Sequence, residues 1–413
     1  MAISLAFHIV FAAIGMSMPL LMVAAEYGHL RTKDPRYLEL ARLWSKGTAV
    51  FFAVGAVSGT VLSFELGLLF PTFMRHAGPI IGMPFSLEGF AFFTEAIFLG
   101  IYLYGWNRVG PRAHLASGVI VAISGVMSAV FVTIANAWMN APTGFRYEDG
   151  TFFDIDPIEA MRTPFAVHEV IHMVLAAYMA TALGAAAIHA WAILRHGRTG
   201  LHELALRIAL IVALPATLAQ PVIGHYAGQQ VAAYQPMKLA AMEGLERTQS
   251  FAPLRIGPIE IPGGLSFLAY NDPAAVVRGL EEFPREDWPH GIVRVAFQVM
   301  VIIGTLLVLY ALWALYLVWR KRDLSSSRRF LLATVLAGPL PMIAIEAGWI
   351  VTEVGRQPWV IYGVLRTVDA ATPVRGLIVP FTLFTLIYLG LVIACVAVLR
   401  FQVRQSHREE RAQ

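Results

Sequence analysis

Two things are scarce in this sequence, and each scarcity excludes a class of protein. There is one cysteine, Cys395, in 413 residues. No intramolecular disulfide can form, and the chain alone cannot build an iron–sulfur cluster or a cysteine-based zinc site. Charge is also scarce: Asp, Glu, Lys and Arg make up only 14% of residues, against about 25% in soluble domains. The formal charge of +4 does not point to nucleic acid, because the basic residues sit between apolar runs. What fills the chain instead is apolar: 57% of residues are hydrophobic and the mean hydropathy is +0.64. This is the composition of an integral membrane protein. Twelve histidines and fifteen methionines are the available metal ligands. Met1 leads straight into an apolar run with no basic segment, so no signal peptide is expected.

Nine apolar runs are long enough to cross a hydrocarbon core, which takes about 20 helical residues. They lie near 2–26, 46–71, 84–106, 115–138, 165–194, 204–224, 291–319, 329–354 and 376–401. The runs are continuous rather than alternating, which excludes a β-barrel. The expected fold is all-α: a polytopic membrane helical bundle of about nine transmembrane helices. The odd connectors are basic: Arg31, Lys33, Arg36 and Arg42; Arg108 and Arg112; Arg195 and Arg198; Arg320, Lys321, Arg322, Arg328 and Arg329. The tail adds Arg404, Arg408 and Arg411. The second connector holds Arg75, and the fourth is acidic, with Glu148, Asp149, Asp154 and Asp156. The positive-inside rule therefore puts the N-terminus outside and the C-terminus in the cytoplasm. The long sixth connector, 225–290, then lies outside. Its first part, QPMKLAAMEGLERTQ, reads as a short amphipathic helix at the interface.

Ionisable residues inside spans are costly and mark function or partnership. Pro341–Trp359 reads PMIAIEAGWIVTEVGRQPW: Glu346 and Glu353 share nearly one helix face, and Gly355 and Pro358 end the helix beside Arg356. Glu88 and Glu95, two turns apart in SLEGFAFFTEAIF, also face one way and suit a proton relay. Glu65 is a further acid in a span, and His8 is a lone histidine in the first. His168 and His172 form HEVIH, which matches the zinc-protease pattern H-E-x-x-H. A third ligand is missing from that pattern, since every Asp falls in or near a connector. On the residues alone, an intramembrane zinc protease and an ion or proton transporter using Glu88 and Glu95 both stay open. Met300 carries no local signal of its own.

EAGWIVTEVGRQPW, SLEGFAFFTEAIFLGIYLYGW, ANAWMNAPTGF and QPMKLAAMEG, in their order along the chain, resemble subunit I of the cytochrome bd quinol oxidases. The resemblance implies a terminal quinol:dioxygen oxidoreductase of the bacterial inner membrane, using ubiquinol or menaquinol and reducing dioxygen to water. Quinol protons leave outside while chemical protons come from the cytoplasm, so a proton motive force arises without a pump. It implies a low-spin haem b, a high-spin haem b, and a haem d or third haem b. His172 and Met300 match the axial pair of the low-spin haem. His8 matches the ligand of haem d or its replacement, and Glu353 that of the high-spin haem b, with the reverse pairing also open. Trp349 and Arg356 match residues around the high-spin pair, Glu88 and Glu95 the proton-feeding acids, and Lys238 and Glu243 the quinol contacts. Implied partners are subunit II, a small single-helix subunit and membrane lipid, with no nucleic acid. The chain then divides into 1–224, helices 1–6 with haem ligands; 225–290, a periplasmic quinol-binding loop; and 291–413, helices 7–9 with GRQPW and a cytoplasmic tail. Some features depart from the family pattern. The family carries a short helix before the first span, so a truncated or misassigned start at Met1 is expected. Gln298 stands where some relatives have Arg, and His225 where an acid is common. The short outer loop resembles the cyanide-insensitive branch.

Overall fold

The computed structural model describes residues 1–148 and 150–412, with side chains to residue 402. Asp149 and the side chains of Arg404, Arg408 and Arg411 lie outside the described residues. Four long helices open the chain: α1 (Ala2–Thr32), α2 (Pro35–Leu69), α3 (Pro71–Tyr104) and α4 (Pro111–Asn140). A hairpin of β1 (Arg146–Glu148) and β2 (Thr151–Phe153) and a short α5 (Pro157–Met161) lead to α6 (Ala166–His196) and α7 (Leu201–Tyr234). The long connector holds α8 (Pro236–Glu243), the hairpin β3 (Leu254–Ile256) and β4 (Ile259–Ile261), and α9 (Gly264–Tyr270). Then come α10 (Ile292–Trp319), α11 (Arg328–Ala337) and α12 (Leu340–Val354). The chain closes with the hairpin β5 (Trp359–Ile361) and β6 (Leu365–Arg366), α13 (Thr367–Ala370) and α14 (Ile378–Ala412). Among the described residues, nine helical spans are long and apolar enough to cross a membrane. The eighth is α11 and α12 in series.

Several helices outrun the apolar windows. α2 begins at Pro35, capped by Asp34, whose carboxylate accepts the Arg36 N–H. α3 begins at Pro71, so the second connector shrinks to Phe70 and Arg75 is helical. α7 runs on to Tyr234. Backbone hydrogen bonding continues a helix past the point where hydropathy falls, so polarity marks the membrane edge and not the helix end. α6 and α7 pack closely because small residues meet there: Ala186, Ala190, Ala205, Ala209 and Ala213 are fully buried in one cluster.

The alternation of crossings sorts the connectors. All three hairpins lie in the fourth, sixth and eighth, hence on one face. The starts of α1, α6 and α10 and the ends of α4 and α12 reach that same face. His8, His172 and Met300 each lie about two turns into their helices, and Glu353 is at the end of α12. They therefore collect in one half of the bundle.

Candidate functional site

His8 leans from α1 onto α2. Its Nδ1 is 2.9 Å from the Ser58 Oγ, and Ser58 is fully buried. The Ser58 hydroxyl donates to the Val54 carbonyl at 2.9 Å. With that proton used, the Ser58 oxygen can accept from a His8 Nδ1–H, and the Gly55 backbone also bonds the ring; in that tautomer Nε2 keeps its lone pair for a metal. A Cβ on Gly59 would lie 3.1 Å from the ring, so α2 also supplies the flat seat beneath it. Trp349 packs with Leu5 beside Ile9, Ala176 and Ala180, which brings α12 into the same region as α1 and α6.

His172 and Met300 are on helices that both pack against α7 and α12. Each faces a glycine: a Cβ on Gly224 of α7 would lie 3.5 Å from the His172 ring, and one on Gly348 of α12 would lie 3.3 Å from the Met300 Sδ. The His172 Nδ1 is buried without a partner, and its backbone carbonyl accepts from the Gln220 amide at 3.1 Å.

Glu353 receives Arg356 Nη2 at 2.7 Å on one oxygen and the Asn136 amide on the other. Arg356 is 1% exposed, yet its Nε and Nη1 have no partner. A buried guanidinium with open donors calls for an anion. Lys238, also buried, donates to Asn140 Oδ1 at 3.1 Å and the Thr352 carbonyl at 3.3 Å. Burial lowers the Lys238 pKa, and Glu169 works against that shift. Glu169 in turn feels the charges of Lys238, Arg356 and Glu353. Gly355 has ordinary right-handed helical geometry, φ −67. α12 therefore ends at Gly355 without the left-handed cap that glycine often supplies. The glycine is needed for space: a Cβ would come 2.9 Å from the Lys238 Cε.

The α3 acids both meet α4. Ser128 donates to Glu88 at 3.1 Å, and the Glu95 carboxylate rests on Gly125, where a Cβ would lie 3.1 Å from it. Gly125 and Ser128 share a face of α4, so the two acids follow one helix seam.

The outer-loop helix departs from expectation. α8 ends at Glu243, and every residue from Met237 to Glu243 is buried. An amphipathic surface helix is therefore corrected: packing on α4, α10 and α12 covers all its sides. Lys238 and Glu243 also look different ways. Lys238 faces α4 and α12, whereas Glu243 faces the Arg255 N–H and the Arg294 charge. Burial pushes the Glu243 pKa up to about 7 against the pull of that N–H. Its Oε2 has no partner.

Among the described residues, no three His, Cys, Asp or Glu side chains gather as a metal centre. HEVIH thus meets no third zinc ligand among the described residues. What the residues do fit is haem: a His8 ring whose Nδ1 contact suits an Nε2 ligand, a His172 ring whose buried Nδ1 has no partner, the Met300 thioether, and open Arg356 donors suited to propionates. Sequence reasoning missed Ser58, Asn136, Asn140 and Glu169. The two asparagines carried a signal, being one turn apart inside a membrane helix. Glu169 was hidden by the zinc pattern that contains it.

Comparison with known proteins agrees with this geometry. Residues 1–407 match the family model described as cytochrome bd terminal oxidase subunit I. The chain is 37% identical over 427 residues to a Bacillus subtilis protein named "Putative cytochrome bd menaquinol oxidase subunit I", covering 98% of this chain and 96% of the relative. It is 28% identical over 457 residues to the cytochrome bd-II ubiquinol oxidase subunit 1 of Escherichia coli, covering 89% and 88%. The solved bd oxidase from Geobacillus thermodenitrificans superposes with a TM-score of 0.91 at 40% identity, over 98% of this chain and 96% of that one. The chain belongs to the cytochrome bd terminal oxidase subunit I family, a family of membrane oxidoreductases.

Proposed function

We propose that this chain is the haem-bearing catalytic subunit of a quinol:dioxygen oxidoreductase in a bacterial inner membrane, paired with subunit II and a small single-helix subunit. The hairpin-bearing face, with the 225–290 loop, is the outer one, and the basic connectors face the cytoplasm. Bound haems would supply electron transfer and the iron at which dioxygen is reduced. His172 and Met300 would hold the low-spin haem b, Glu353 the high-spin haem b, and His8 a haem d or third haem b. The relatives named above differ in quinol, one menaquinol and one ubiquinol, and either fits here.

The chain's own groups then have distinct tasks. Glu243 accepts a hydroxyl proton from quinol at its free Oε2 and releases it outward. Lys238 carries positive charge between the loop and the α12 terminus. Arg356 holds the Glu353 side chain and keeps two donors for an acidic group. Trp349 packs between α1 and α6 and excludes water there. Glu95 and Glu88 hold protons along the α3–α4 seam on their way from the cytoplasmic half.

The observation that carries this reading is the buried Ser58 hydroxyl held at the His8 Nδ1, an arrangement that suits a ring presenting Nε2 to a metal. The test is an absorption spectrum of the purified complex with oxygen uptake driven by quinol. Soret and α bands with quinol-dependent uptake are expected. A colourless preparation without uptake refutes it.

A further inference from the structure

The hairpin of β3 and β4 has a two-residue turn, Gly257-Pro258, closed by Ile256 and Ile259. Arg255 pairs with Glu260, one step from that closing pair. In an antiparallel ladder, alternate pairs turn their N–H and C=O away from the partner strand. Both outward groups of Arg255 are used. Its N–H meets the Glu243 carboxylate. Its carbonyl accepts from the Gln298 Nε2 at 2.8 Å. The Gln298 Oε1 in turn accepts the Gly257 N–H at 2.9 Å. One amide thus grips the hairpin on both sides of Ile256, and only this orientation of the amide satisfies both bonds.

Gln298 is on α10, and Arg294 lies one turn before it on the same face. The Arg294 guanidinium lies against Gly244, where a Cβ would be 2.7 Å away. Gly244 follows Glu243 and takes a left-handed cap, φ 64. α10 therefore meets both the residue that follows Glu243 and the strand whose N–H bonds it. Met300 is half a turn further along the same helix, about 3 Å in axial rise beyond Gln298.

We propose that Gln298, supported by Arg294, is a positioning residue for quinol oxidation: its amide splints the β3–β4 hairpin to α10, so that the Arg255 N–H occupies one Glu243 oxygen and leaves Oε2 aimed at the quinol hydroxyl. The inference rests on the reading of this loop as the quinol site. It adds that the helix bearing Met300 also sets the place of the proton acceptor, which ties the quinol hydroxyl to the first electron acceptor through one rigid element.

The test uses Gln298→Met in the assembled oxidase, a swap that keeps volume and removes both hydrogen bonds. Three readouts are expected. Quinol kcat/KM falls about tenfold, the loss that two modest hydrogen bonds permit. Oxygen uptake driven by a small one-electron reductant that bypasses the quinol site is unchanged, as are the haem bands. Trypsin cuts after Arg255 faster than in the parent. Gln298→Asn keeps the amide but is a methylene too short to bridge both backbone groups, and should show the same pattern if Gln298→Met fails to assemble. Faster cutting with parental quinol kinetics overturns the proposal, as does an equal loss with both reductants. Glu243→Gln separates this from the underlying reading. If Glu243→Gln oxidises quinol normally, the loop is not the quinol site. If it is impaired while both Gln298 variants are normal, the loop reading stands and the splint falls.

Discussion

Ser58→Ala offers a sharp test of how the chain prepares a metal ligand. Ser58 is fully buried and its Oγ is 2.9 Å from the His8 Nδ1. Alanine removes one of the two groups that bond the ring, the other being the Gly55 backbone, and changes little else. The His8 ring then loses one hydrogen bond, worth about 0.5–1.5 kcal/mol, and keeps its Gly55 backbone contact. The ring can escape by moving its proton to Nε2, but that consumes the lone pair an iron would need. A ring less firmly held in the right tautomer and orientation binds iron about 2- to 13-fold more weakly on hydrogen-bond energy alone. Loss of an outer-shell partner typically costs about 10- to 100-fold in metal affinity, a range that meets the first near tenfold. The assay is haem content per purified complex together with the absorption bands. Ser58→Ala should lack, or hold loosely, the one haem assigned to His8, and should keep the haems assigned to His172, Met300 and Glu353. Ser58→Thr retains the oxygen and should restore occupancy. Full haem content and unchanged bands in Ser58→Ala would refute the tautomer argument, and with it the main structural support for His8 as a ligand.

Other outcomes follow from the same geometry. Glu95→Gln keeps shape but cannot carry a proton, so steady-state oxygen reduction should fall by about 10²-fold or more while quinol still reduces haem in a single turnover; normal turnover there and in Glu88→Gln would make both acids structural. Met300→Leu should lower the midpoint potential of one haem or turn it high-spin, since a thioether raises the potential; an unchanged redox titration would leave Met300 as packing against Gly348. Glu243 accepts a proton only when ionised, and its pKa stands at about 7, so quinol kcat/KM should climb as pH rises through about 7 and flatten above it. Arg255 and Arg294 are the charges that face it, and Glu243→Gln should remove that limb; a limb retained in Glu243→Gln assigns it to another group. Reporter fusions at Gly263 and Ser326 should read outside and cytoplasmic, respectively, and the reverse would invert the orientation drawn from arginine.

The nine spans were legible because an apolar run of the right length is a local property, and lipid enforces it residue by residue. The same logic picked out Glu88, Glu95 and Glu353, since an acid inside such a run is conspicuous wherever its partner lies. Span ends were less legible, as α2 and α3 show, because backbone hydrogen bonds continue past the change in polarity. Met300 was visible only through resemblance, as a thioether in an apolar helix looks like packing. What tertiary structure alone decided are the partners. Ser58 is 50 positions from His8, and Asn136 is 217 from Glu353. Nothing in local spacing relates such pairs; they meet because separate helices end on one face. The same holds for Lys238 and Glu243, neighbours in sequence that turn toward different helices once α8 is buried. Composition and period determine that these helices form and cross, but which side chains face one another depends on how the helices are packed, and that is a property of the whole bundle.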